Sequence, residues 1–203
     1  MDIPRLYAIL DADCFREHGQ LFKAAEELVA GGVTLLQYRN KSGNARQMLE
    51  EARELKRRVG GRVRLIMNDR ADLCVASEFD GLHVGQEDLS PEAARWIIGS
   101  ERWLGLSTHN PEQLALADKT AADYLAIGPV FATSSKLNPD PVVGLEGVRR
   151  ARQWTRKPLV AIGGITRANA RLVFDAGANS VAVISDLLRE PRKSAEEFLR
   201  ILE

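Results

Sequence analysis

Thr34-Leu-Leu-Gln-Tyr-Arg-Asn-Lys41 starts as an apolar run and ends in a polar cluster with two cations. The same change of character occurs in Arg64-Leu-Ile-Met-Asn-Asp-Arg70, and Thr133-Ser-Ser-Lys136 follows the apolar Tyr124-Leu-Ala-Ile127 after a short gap. In an α/β barrel the parallel strands are buried and therefore apolar, while the loops at their carboxyl ends open onto one mouth. Polar residues far apart in the chain then share a site.

Outward from Thr34–Lys41 the pattern repeats about every 25 residues, the length of one strand, loop and helix. The candidate strands are Leu6 to Leu10, Thr34 to Tyr38, Arg64 to Met67, Gly81 to Val84, Trp103 to Leu106, Tyr124 to Ile127, Leu159 to Ile162 and Ser180 to Ile184. Between them, stretches such as Leu21 to Ala30 and Ala45 to Val59 place apolar residues at helical spacing. Ser90-Pro91-Glu92 and Asn110-Pro111-Glu112 each combine an N-cap residue, a proline at the first helical position and an early acid. Such alternation implies a parallel sheet without deciding between a closed barrel and an open one. An open, doubly wound sheet gathers its ligand groups at one switch point, whereas here polar or glycine-rich loops follow nearly every candidate strand. The expected architecture is therefore an α/β closed (β/α)8 TIM barrel. No Gly-, Ser- or Pro-rich linker divides the chain, so residues 1–203 read as one domain.

Of the 203 residues, 45% are apolar and 28% charged, the balance of a soluble globular protein. No apolar run approaches the roughly 20 residues that span a bilayer. Met1-Asp2-Ile3-Pro4-Arg5 has neither the basic start nor the apolar stretch of a signal peptide, so a cytoplasmic location is expected. The 28 basic and 28 acidic residues cancel, leaving no global field to collect nucleic acid or anionic membrane, and neither is expected as a partner. Cys14 and Cys74 lack metal or redox spacing and read as reduced thiols. Trp96, Trp103 and Trp154 read as packing residues, and the pattern leaves the oligomeric state open.

Two places offer anion-binding chemistry. Gly163-Gly164 after the seventh strand and Ile184-Ser185 after the eighth match the usual barrel phosphate site, although paired glycines also make plain tight turns. Arg39, Lys41 and Lys136 form the second group: three cations aimed into one mouth call for an anionic guest such as a polyphosphate. Asp69 and Asp88 follow strands three and four, and two carboxylates beside a polyphosphate suit magnesium, which takes a few carboxylates, waters and phosphate oxygens. Competing readings make Asp88 a turn or capping residue near Ser90-Pro91 and Asp69 a partner of Arg70. Ser107 and His109 lack the acid of a hydrolase triad, and His83 reads as a hydrogen-bonded barrel residue rather than a base. The segment Ala132 to Val143 is long for a barrel loop and is expected to be functional.

These motifs resemble the thiamine phosphate synthase family through nearly the whole chain. The likeness is carried by Gln37-Tyr-Arg-Asn-Lys41, Met67-Asn-Asp-Arg70, Gly81-Leu-His-Val-Gly-Gln-Glu-Asp-Leu89, Gly105-Leu-Ser-Thr-His109, Tyr124 to Lys136, Gly144-Leu-Glu146, Gly163-Gly-Ile165 and Val183-Ile-Ser185. The resemblance implies a transferase of thiamine biosynthesis that couples 4-amino-5-hydroxymethyl-2-methylpyrimidine diphosphate to 4-methyl-5-(2-phosphoethyl)thiazole, giving thiamine phosphate and pyrophosphate. It implies that Gln37, Tyr38, Arg39, Asn40, Lys41, Asn68, Ser107 and Lys136 contact the pyrimidine diphosphate and that Asp69 and Asp88 hold Mg2+. Thr133, Ser134, Ser135, Gly164, Ile184 and Ser185 would hold the thiazole phosphate, with Arg39, Lys41, Ser107 and Lys136 catalytic.

Three residues depart from the family's commonest pattern: Asn40 stands where glutamate is frequent, Ser135 where threonine is frequent, and Asp186 where a small residue is usual. A carboxylate at 186 would repel a phosphate unless it caps a helix or points away. The related thiazole tautomerases, isomerases on the same fold, are the nearest alternative. They tend to lose the metal aspartates that this chain keeps.

Overall fold

The computed structural model describes residues 2–133 and 140–203. Eight parallel strands close into a barrel in sequence order, each hydrogen-bonded to the next and the last to the first. They are β1 (Leu6–Asp11), β2 (Leu35–Arg39), β3 (Arg64–Asn68), β4 (Gly81–Val84), β5 (Trp103–Thr108), β6 (Tyr124–Ile127), β7 (Leu159–Ile162) and β8 (Ser180–Val183). The helices between and after them are α1 (His18–Ala30), α2 (Ala45–Val59), α3 (Ala71–Ala76), α4 (Pro91–Ile98), α5 (Pro111–Ala117), α6 (Gly144–Trp154), α7 (Ala170–Asp175), α8 (Ser185–Leu188) and α9 (Pro191–Leu202). A single 3-10 turn, Ala12–Cys14, follows β1.

Helix starts follow from local chemistry. Ser90 and Asn110, each followed by proline, accept from the amides of Ala93 at 3.2 Å and Gln113 at 2.9 Å. Asn44 caps α2 in the same way, accepting from Gln47 at 3.0 Å. Each bond satisfies an amide that has no partner within its own helix.

Strand alternation sorts the apolar side chains into two layers. Leu6, Ala8, Leu10, Leu36, Tyr38, Leu65, Met67, Leu82 and Val84 face outward and pack with the helices. Tyr7, Ile9, Leu35, Ile66, Tyr124, Ala126, Val160 and Ala182 fill the barrel interior. Truncating a fully buried outward leucine such as Leu36 to alanine would cost about 2–5 kcal/mol, because the close-packed layer cannot collapse onto the gap.

The tryptophans depart from the sequence expectation. Trp96 is 86% exposed and Trp154 57%, because α4 buries Ala94 and Ile98 and α6 buries Val148 and Ala151, leaving each indole on the outer side of its helix. Trp103 is partly buried, with the Arg64 guanidinium 3.9 Å from its ring centroid. Among the described residues no helix is long and apolar enough to cross a membrane.

Candidate active site

Period-two alternation decides which side chains reach the mouth. On β2, Leu35 and Gln37 point into the barrel while Leu36 and Tyr38 point out, and Arg39 continues the inward series at the rim. Asp11 ends β1 opposite Arg39, and their charged groups meet at 2.5 Å. Two residues on, Lys41 pairs with Asp69 in the loop after β3.

Asp69 sits at φ +62°, a left-handed conformation uncommon outside glycine and somewhat favoured by Asp, and its amide donates to the His83 carbonyl at 2.8 Å. Burial pushes its carboxyl above the usual range; Lys41 offsets part of this, and the neighbouring Asp88 carboxylate adds to the rise. Asp88 Oδ2 accepts from the Gly85 amide at 2.7 Å, which closes the turn after β4 and fixes the carboxylate beside Asp69. Thus Asp88 does shape a turn, and it does so while facing its partner acid. Arg70 makes its two-pronged contact with Asp72, not with Asp69.

Asp69 and Asp88 supply two hard oxygen donors, and among the described residues they are not part of any group of three or more His, Cys, Asp or Glu side chains able to cage an ion. That donor set fits magnesium, which completes its shell with water and phosphate oxygens.

Below the rim lies a hydrogen-bonded series that crosses the barrel. Gln37 Nε2 donates to the Tyr7 hydroxyl at 2.8 Å, Tyr7 and Tyr124 hydroxyls meet at 2.9 Å, and Tyr124 meets His83 Nδ1 at 3.1 Å. On its other side, His83 Nε2 meets Ser107 Oγ at 2.9 Å. Burial pushes both tyrosine hydroxyls up and the His83 imidazole down to about 4, so all three are neutral near pH 7. Gly105 lies between these rings, where an added Cβ would collide with both Tyr124 and His83. His83 is the hydrogen-bonded barrel residue read from the sequence, and it presents Ser107 to the mouth.

Two sequence candidates lie elsewhere. Tyr38 is fully buried on the outer face of β2, its hydroxyl bound to Glu51 of α2. Asn40 Nδ2 donates to the Tyr38 hydroxyl at 3.1 Å and to Glu51 at 3.2 Å, while its Oδ1 accepts from the Gly43 amide at 2.6 Å. Their side chains shape the loop that carries Arg39 and Lys41, rather than lining the mouth. Strand alternation carries the signal for Tyr38, which neighbours two inward residues.

On the far side, Gly163 and Gly164 follow β7 with φ +102° and +63°. A Cβ on Gly164 would lie 2.5 Å from the Ala132 carbonyl oxygen, so the loops after β6 and β7 touch only because the side chain is missing. Ile184 precedes α8 and packs partly against the interior layer; Ser185 is the first residue of α8. Asp186, next to Ser185, pairs with Arg167 in the loop after β7. Burial alone would raise its carboxyl, but hydrogen bonds from the Arg167 side chain and amide hold it below the usual range. Thr133 leads into the long loop, whose Ser134, Ser135 and Lys136 lie outside the described residues.

Closed barrel and mouth chemistry together define the class: a (β/α)8-barrel enzyme with paired cations and carboxylates at the carboxyl ends of its strands. The sequence profile described as thiamine monophosphate synthase matches residues 6–187. A thiamine-phosphate synthase of Koribacter versatilis is 64% identical over 205 residues, covering 100% of this chain and 97% of that protein. One from Chloroflexus aurantiacus is 46% identical over 186 residues, covering 89% and 83%. The solved thiamine phosphate pyrophosphorylase of Pyrococcus furiosus superposes with a TM-score of 0.87 at 33% identity, covering 98% of this chain and 95% of that one. The chain belongs to the thiamine monophosphate synthase family.

Proposed function

We propose that the protein is a thiamine-phosphate synthase, joining the pyrimidine diphosphate to the thiazole phosphate with release of pyrophosphate. The observation that carries this reading is the convergence of Arg39, Lys41, Asp69 and Asp88 on one barrel mouth. A tautomerase would not need a carboxylate pair beside those cations.

Charge dictates the mechanism. The diphosphate leaves from an exocyclic methylene on an electron-rich aminopyrimidine, whose ring spreads the positive charge, so the carbon–oxygen bond breaks ahead of attack. The thiazole nitrogen attacks with its own lone pair, and no side chain acts as general base. Arg39 and Lys41, joined by Lys136, stabilise the charge gathering on the departing diphosphate. Asp69 and Asp88 would hold magnesium, which supplies further charge neutralisation there. Gln37 and Asn68 orient the pyrimidine, and Ser107 assists by a hydrogen bond. Thr133, Ser134, Ser135, Gly164, Ile184 and Ser185 hold the thiazole phosphate, so that both partners are aligned before reaction. Tyr38 and Asn40 serve the same site through the shape of their loop. The reading places the protein in the cytoplasm, acting on small molecules.

The test is direct. Purified protein with magnesium and both substrates should form thiamine phosphate and release pyrophosphate in equal amounts. Isomerisation of a thiazole carboxylate phosphate with no coupling would overturn the proposal.

A further inference from the structure

The Gly164 and Ser185 halves of the proposed thiazole-phosphate site follow different strands. The last registered pair between β7 and β8 is Ile162 opposite Ala182, so both residues lie beyond the ladder that would fix their spacing. A side-chain brace spans the gap. Arg167 Nε donates to Asp186 Oδ2 and Nη2 to Asp186 Oδ1, each at 3.0 Å, and the Arg167 amide donates to Oδ2 at 2.9 Å. The remaining Arg167 nitrogen, Nη1, reaches Glu197 of α9 at 2.5 Å. Within the first loop, Asn169 Oδ1 accepts from the Thr166 amide at 2.8 Å and Nδ2 donates to the Gly164 carbonyl at 3.0 Å. The brace therefore runs from the first turn of α8 to Arg167, across the peptide bond to Thr166, and through Asn169 to Gly164.

From this geometry we infer that Asp186 is a positioning residue: through Arg167 it sets the separation of the Gly164 and Ser185 halves of the anion site. The inference rests on the proposed function for the identity of the anion. A carboxylate at this position is compatible with a neighbouring phosphate because the guanidinium fork engages both of its oxygens. Asparagine keeps the shape but offers one acceptor oxygen instead of two, so it loosens the fork without opening a cavity.

Steady-state kinetics with each substrate varied in turn would test this in Asp186→Asn, Asp186→Ala and Arg167→Met. The expected result is a KM for the thiazole phosphate raised about tenfold, the scale of one lost charge-assisted hydrogen bond, with kcat and the KM for the pyrimidine diphosphate within about twofold of wild type. The double variant Arg167→Met/Asp186→Asn should be no worse than Arg167→Met alone, since the link to Asp186 is already gone in that single variant. Equal losses for both substrates, or an unchanged thiazole phosphate KM, would overturn the inference. Thermal melts identify any variant that fails to fold, and the isosteric Asp186→Asn then carries the test. If the wild-type protein couples nothing, the proposed function fails separately. Calorimetric titration with inorganic phosphate then decides: weaker binding by Asp186→Asn than by wild type supports the brace, and equal binding rejects it.

Discussion

Asp11 at the end of β1 holds Arg39 at the end of β2: Arg39 Nη1 donates to Asp11 Oδ2 at 2.5 Å, and Asp11 is only 4% exposed. The guanidinium is thereby fixed at the rim, with 20% of the side chain exposed. Asp11→Ala should raise the KM for the pyrimidine diphosphate on the order of tenfold, because a charge-assisted hydrogen bond that orders Arg39 is lost. Asp11→Asn, which keeps one acceptor oxygen, should recover part of that loss. Unchanged kinetics in both variants would remove Asp11 from any role at the site.

Asp69 gives a pH dependence. Burial raises its carboxyl, Lys41 pulls it back and Asp88 raises it further, so the net shift is upward. If Asp69 holds magnesium as proposed, a proton would compete with the ion at a higher pH than it would at an ordinary carboxylate. The half-saturating magnesium concentration should climb as pH is lowered, and the rise should begin at a higher pH than it would for an ordinary carboxylate. Asp69→Asn should need far more magnesium at every pH and show a flatter profile. Magnesium titrations of turnover at several pH values check this, and a profile independent of Asp69 would refute it.

His83 links acid to folding. Its imidazole is pushed down to about 4 in the fold by burial, against about 6.5 in an unfolded chain. As pH falls, the unfolded chain takes the proton first. The stabilisation is thus fully present above about pH 6.5 and disappears as pH drops through about 4, an effect of about 3 kcal/mol. His83→Asn should reduce the difference in urea-unfolding stability between about pH 7.5 and about pH 4.5 by most of that amount. If wild type and variant lose equal stability, His83 is not held neutral as described.

Gly105→Ala should damage a site residue it never touches. Its methyl would displace Tyr124 or His83, an overpacking cost of about 1–3 kcal/mol, and the shift passes to the hydroxyl of Ser107. Reduced kcat together with a lowered Tm is the expected pair of observations. A fully active, fully stable variant would show that the barrel interior gives way without moving Ser107.

Most strands were legible because each is a short apolar run ending in a polar loop, as Leu35–Arg39 and Arg64–Asn68 are. What escaped was side-chain direction. Tyr38 and Asn40 belong to a motif read as a contiguous binding stretch, yet a strand sends neighbours to opposite faces, and the partner that claims them, Glu51, lies on a helix. Asp11 gives no signal in the sequence because the apolar run from Leu6 ends at Leu10, while the strand continues one residue further to the carboxylate. Asp186 posed an electrostatic problem in the sequence that Arg167, nineteen residues earlier, resolves in space. Trp96 shows the reverse case: its size and apolar character suggest packing, yet its helix turns it toward water.

The ring is sealed where β8 meets β1, with Val181 opposite Leu6. During synthesis, therefore, the first strand waits for the last, and Asp11 and Ser185 flank that same seam from the two ends of the chain. On the proposed assignment, a nascent polypeptide lacking β8 would leave β1 without a neighbour on the diphosphate side and the thiazole phosphate side without Ser185. Both sides of the proposed site are then completed together, when β8 pairs with β1.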